Sequence, residues 1–149
     1  MQYISTRGSA PSLNFTEALL TGLASDGGLY VPAVWPAFDK SELRALANAS
    51  YAEIAAAVLA RFVGDTISEA DLQKDITDAY ARFRHQAVVP LVQMDDSDWM
   101  LELFPGPTLA FKDVALQLLG HFFDRVLEAE NRRVTVVGAT SGDTGSAAI

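Results

Sequence analysis

The stretch Val134-Thr135-Val136-Val137-Gly138-Ala139-Thr140-Ser141-Gly142-Asp143-Thr144-Gly145 decides the fold class. Its first four residues are β-branched, which favours an extended strand. Gly138 to Gly142 reads as a glycine-containing turn, and a helix starts near Thr144. Upstream, Asp113 to Glu130 is the longest helix candidate, with Ala115, Leu118, Leu119, Phe122 and Val126 on its inner face. Further upstream, Ala87–Met94 and Trp99–Phe104 read as strands joined by a turn at Asp95, Asp96, Ser97 and Asp98. Strand, helix, strand, turn, helix is an α/β order and predicts parallel pairing.

The N-terminal half has a different character. Gln2 to Ser5 reads as a short strand. Asn14 with Glu17 forms a capping-box signal for a helix that Gly22 can end. Asp26-Gly27-Gly28 is turn chemistry, and Leu29-Tyr30-Val31 is a brief strand stopped by Pro32. Three helices follow. Asp39 or Ser41 caps the first, and Ser50 with Glu53 opens the second. Ser68 with Asp71 opens the third, which carries Leu72, Ile76, Ala79, Tyr80 and Phe83 at steps of three and four. The expected organisation is a mostly helical N-terminal domain over residues 1–88. The first part of a parallel α/β domain follows over residues 89–149.

Composition narrows the function classes. The 149 residues are 50% hydrophobic, enough for a sizeable core. With no cysteine, thiol nucleophiles and thiolate metal sites are excluded. The net charge of −8 disfavours nucleic acid as a partner, because phosphate backbones are held by clustered Lys and Arg. The longest clean apolar run, Ile54 to Ala60, is far short of a membrane span. The expectation is a cytoplasmic globular protein with no membrane or nucleic-acid partner.

Two segments can carry chemistry. In Phe104-Pro105-Gly106-Pro107-Thr108-Leu109-Ala110-Phe111-Lys112-Asp113, Lys112 sits among apolar residues where a helix should begin. A lysine amine is nucleophilic only when neutral, and burial or a helix N-terminus favours that form. Such a lysine suits a Schiff base with a carbonyl cofactor. The structural alternative is a surface lysine beside a helix-capping Asp113. The second segment, Gly138 to Gly145, offers backbone N–H groups and hydroxyls to a carboxylate or phosphate. It is neither a Walker loop nor a dinucleotide fingerprint. Its structural alternative is an ordinary turn capped by Ser141 or Asp143. Asp95, Asp96 and Asp98 lack the EF-hand spacing and read as a solvated hairpin turn. His85 and His121 have no partner at ligand or triad spacing.

Taken together, these strings resemble the threonine synthase family. Glu102-Leu103-Phe104 runs into Gly106-Pro107-Thr108-Leu109-Ala110-Phe111-Lys112-Asp113, and Ala139-Thr140-Ser141-Gly142-Asp143-Thr144-Gly145 follows. Phe15, Glu17-Ala18, Gly22-Leu23 and Asp26-Gly27-Gly28-Leu29-Tyr30-Val31-Pro32 resemble that family's opening. The similarity runs in order through nearly the whole chain.

The resemblance implies a fold-type II, tryptophan synthase β-like enzyme of the α/β class, present here as an N-terminal fragment. It implies pyridoxal 5′-phosphate as cofactor and O-phospho-L-homoserine and water as substrates, giving L-threonine and phosphate. Lys112 matches the lysine that forms the internal aldimine and moves protons. Ser141, Gly142, Asp143, Thr144 and Gly145 match the loop facing the substrate carboxylate and the cofactor's phenolic oxygen. Two positions depart from the pattern. Pro105 stands where the family implies His, and Asp143 stands where wider relatives carry Asn. An ionised Asp cannot donate to a phenolate. The residues for the cofactor phosphate and ring nitrogen are implied beyond position 149, so a polypeptide of these residues alone is expected to be inactive. A truncated sheet exposes an edge, so self-association is also expected. Rival readings are a serine or threonine dehydratase on the same fold and a non-catalytic module.

Overall fold

The computed structural model describes residues 1–148. Ile149, to which the last helix signal was expected to run, lies outside the described residues. The chain divides into two compact units, Met1–Gln73 and the stretch from Lys74 onward.

In the first unit, strand β1 (Tyr3–Ser5) pairs antiparallel with β2 (Tyr30–Pro32), Tyr3 opposite Pro32 and Ser5 opposite Tyr30. The turn between them is pinned by Asp26. Its carboxylate accepts from the Ser5 hydroxyl at 2.7 Å and from the N–H groups of Ser9, Ala10 and Gly28 at 2.9 to 3.0 Å. Helix α1 (Phe15–Thr21) starts with the Asn14–Glu17 capping box. Helix α2 (Lys40–Ala45) is capped by Asp39 with Glu42, and α3 (Tyr51–Val63) by Ser50 with Glu53. The Tyr3 hydroxyl donates to the Phe62 carbonyl at 2.8 Å, fastening β1 to the end of α3. Tyr3, Ala24, Val63, Ile67 and Leu72 are among the buried apolar residues of this unit.

Helix α4 (Glu69–Tyr80) begins with Ser68, whose hydroxyl accepts from the Asp71 N–H at 3.2 Å. Its second half belongs to the second unit and buries Ile76 and Ala79 there. The helix stops at Tyr80, so Phe83, expected on the same face, is buried from the turn that follows. A hairpin comes next, β3 (Leu91–Gln93) against β4 (Trp99–Leu101), antiparallel with Leu91 opposite Leu101. Helix α5 (Asp113–Ala129) buries Leu118, Phe122 and Val126, one side chain per helical turn along one stripe. Ala115, assigned to that stripe by periodicity, faces solvent. Arg125 of α5 grips Asp75 of α4 with two hydrogen bonds of 2.7 and 2.6 Å. Asp75 is almost fully buried, so the pair satisfies a charge that could not otherwise be placed there. Short helix α6 (Asp143–Ala147) packs on α5 and buries Ala147.

The arrangement is mixed α/β, with one correction. Both ladders among the described residues are antiparallel, and no strand forms at Val134–Val137. A β-branched run favours an extended backbone but becomes a strand only when a neighbour supplies the ladder. No described segment pairs with this one, and Val136 and Val137 are 82% and 89% exposed. No helix among the described residues is long and apolar enough to cross a membrane.

Candidate active site

Lys112 occupies the cap position of α5, already in right-handed helical conformation, and no side chain caps that end. The first turn is organised from behind. Asp113 is fully buried, and its carboxylate reaches back to accept from the Thr108 N–H at 2.8 Å and the Thr108 hydroxyl at 2.7 Å. Asp113 therefore does not cap the helix, as the structural alternative supposed. It fastens the preceding loop to the helix start. The loop makes room for this: a Cβ on Gly106 would lie 2.4 Å from an Asp113 carboxylate oxygen. Leu109 takes a left-handed backbone (φ 66°), which is strained for a non-glycine residue. The Pro105 carbonyl accepts from the Arg84 N–H at 2.8 Å, so the residue that departs from the family pattern anchors the loop through its backbone.

The Lys112 side chain is half-buried. Its Nζ lies 4.6 Å from the centre of the Phe111 ring. It has no hydrogen bond or ion pair among the described residues. An amine held this way is available to an incoming ligand.

The second segment folds as a turn into α6. Gly142 takes φ 134°, a conformation other residues rarely adopt, and precedes the helix without side-chain capping. Neither Ser141 nor Asp143 caps. The Thr140 hydroxyl accepts instead from the N–H groups of Gly142 and Gly145, both at 3.3 Å. Sequence reasoning missed this residue, although a hydroxyl two positions before a glycine is the signature of an ST turn. Ser141, Gly142, Asp143 and Thr144 are exposed, and Gly145 is half-buried. The loop borders an open cavity of about 400 Å³ that Gly138, Thr140, Ser141, Thr144 and Gly145 help to line. Lys112 is not among its lining residues, so the described chain does not bring the two predicted segments into that cavity.

The remaining candidates have local partners. His85 Nδ1 accepts from the Ala87 N–H at 3.1 Å. An Asp95 carboxylate oxygen accepts from the Asp96 N–H, and the Asp98 carbonyl accepts from Met94 at 2.8 Å, which closes the β3–β4 turn. Among the described residues no group of three or more His, Asp or Glu could hold a metal ion.

The chain is similar to known proteins along its whole length. The profile of the family described as "Threonine synthase N terminus" matches residues 2–80. Threonine synthase of Pseudomonas aeruginosa is 55% identical over 149 residues, covering all of this chain and 32% of that protein. The crystal structure of PLP-bound threonine synthase from Brucella melitensis superposes with a TM-score of 0.97 at 57% identity, over 99% of this chain and 32% of that one. Threonine synthase from yeast gives 0.92 at 43% identity, with the same coverage of both chains. The chain thus spans about a third of the length of the relatives it matches.

Proposed function

This chain belongs to the threonine synthase family, and from that premise we propose that the full-length protein converts O-phospho-L-homoserine and water to L-threonine and phosphate. The observation that carries the reading is Lys112, an unpaired amine at the head of a helix whose entry loop is locked from behind. We assign residues 1–88 to a helical N-terminal domain and 89–149 to the first part of the cofactor-binding domain. The family match over 2–80 supports the first assignment. A cytoplasmic location fits a small-molecule biosynthetic enzyme.

The residues present fit pyridoxal phosphate by their donor chemistry. Lys112 offers a primary amine to its aldehyde. Ser141 and Thr144 offer hydroxyls on an exposed turn to anionic oxygens of cofactor or substrate. Gly142, Asp143 and Gly145 complete that loop. When bound, the cofactor supplies an electron sink that makes protons on neighbouring substrate carbons labile. Lys112 then takes and returns protons at the α and β carbons, which requires its Nζ to stay within hydrogen-bond reach of both. The loop orients the substrate carboxylate. The Asp143 carboxylate accepts hydrogen bonds and cannot donate one when ionised.

The test is made on the full-length protein. Equal amounts of threonine and phosphate from O-phospho-L-homoserine support the reading. A keto acid from serine, with no threonine formed, establishes a dehydratase instead. Lys112→Ala should lower turnover by roughly 10³-fold, and retained turnover would remove Lys112 from the mechanism.

A further inference from the structure

The geometry points to Asp113 and Thr108 as a positioning pair that fixes the direction in which Lys112 leaves the helix, an inference that rests on Lys112 being the cofactor lysine. Asp113 is adjacent to Lys112, and it is fully buried while Lys112 is only half-buried. Both its carboxylate oxygens are engaged by one residue, Thr108, at 2.8 and 2.7 Å. Two local features depend on this latch. Leu109 keeps a strained left-handed backbone, which persists only where the surroundings over-determine it. Gly106 packs so tightly on Asp113 that no side chain fits between them. The four residues from Thr108 to Phe111 are therefore held at both ends, and Lys112 begins a helix whose first turn cannot rotate freely. Neither Asp113 nor Thr108 needs to touch the cofactor. They restrict the arc through which the Lys112 amine can sweep, and a reacting group held near its attack geometry reacts faster than a loosely held one.

The experiment uses the full-length protein with pyridoxal phosphate. Cofactor bound to lysine is trapped by borohydride, and the labelled lysine is identified by peptide mass. Apoprotein is mixed with saturating cofactor and quenched with borohydride at successive times, so the rate of labelling reports how fast the lysine forms its bond to the cofactor and weakened affinity no longer contributes. Thr108→Val removes the hydroxyl at constant shape and should slow trapping on Lys112 by roughly tenfold or more. Thr108→Ser restores the hydroxyl and should restore the rate. Asp113→Asn keeps both contacts, because the amide can donate to the Thr108 hydroxyl, and should stay close to the unsubstituted protein. Asp113→Ala should be at least as slow as Thr108→Val. If Thr108→Val melts at a lower temperature but labels Lys112 at the unchanged rate, the pair is merely structural and the positioning role is overturned. If the unsubstituted protein is labelled on a different lysine, the Lys112 assignment itself fails and takes this inference with it.

Discussion

Single residues in this chain act mainly through oxygen atoms that satisfy backbone N–H groups. Asp26 is the clearest case. Its carboxyl is drawn down from 3.8 to about 2, first by the Ser5 hydroxyl and then by the N–H groups of Gly28, Ser9 and Ala10, against the opposing effect of burial. The folded pKa lies below the unfolded one. The stabilisation is therefore complete above pH 3.8 and disappears as pH falls through about 2. Ser5→Ala should move the Asp26 midpoint upward, measured by NMR titration of the side-chain carboxyl, and should raise the acid-unfolding midpoint with it. An Asp26 midpoint still near 2 in that variant would show that the Ser5 hydroxyl is not the leading cause. At the candidate site the same logic runs through Thr140, which accepts from the N–H groups of Gly142 and Gly145, and Asp113, which accepts from that of Thr108. The Asp113 partner was not legible in the sequence, because a side chain's contact depends on how the loop folds back over it, whereas Thr140 carried only the weak local signal of an ST turn.

Elements were legible where their end signals are local. The Asn14–Glu17 and Ser50–Glu53 boxes close as the spacing predicts, since both partners lie within one helical turn. Asn14 accepts from the Glu17 N–H at 2.9 Å, while Glu17 accepts from the Asn14 N–H at 2.8 Å. Asn14→Ala should cost about 1 kcal/mol in a urea titration. A loss within error of zero would mean that α1 is held by packing alone. Where an end signal offered two choices, the structure selected one. Asp39 rather than Ser41 caps α2, because its carboxylate reaches the N–H groups of both Ser41 and Glu42. The Val134–Val137 segment shows the opposite limit. Its intrinsic preference is clear, but a strand is a property of a pair, and a ladder partner lies outside anything four residues can specify.

At the scale of the whole molecule, each unit has its own buried apolar residues, yet much apolar surface stays open in the second. Leu91, Trp99 and Met100 on the hairpin are 53% to 62% exposed, and Val136 and Val137 more so. Patches of this kind drive association. A polypeptide of these 149 residues produced alone should therefore sediment above its 16.0 kDa monomer mass at micromolar concentration. It should also bind pyridoxal phosphate far more weakly than the full-length protein, since it spans only about a third of its relatives. Tight stoichiometric binding by that polypeptide would show that the cofactor site is complete within it. By itself the sequence determined the family and the helices whose caps and apolar stripes lie within a few residues of each other. Only the tertiary structure decided that Asp113 turns away from solvent to hold Thr108, that Thr140 rather than Ser141 closes the second loop, and that Arg125 meets Asp75 across 50 residues. The reason is range. Propensity, capping and periodicity act over one or two turns of chain, whereas a buried polar atom takes whichever partner the packed chain brings within about 3 Å.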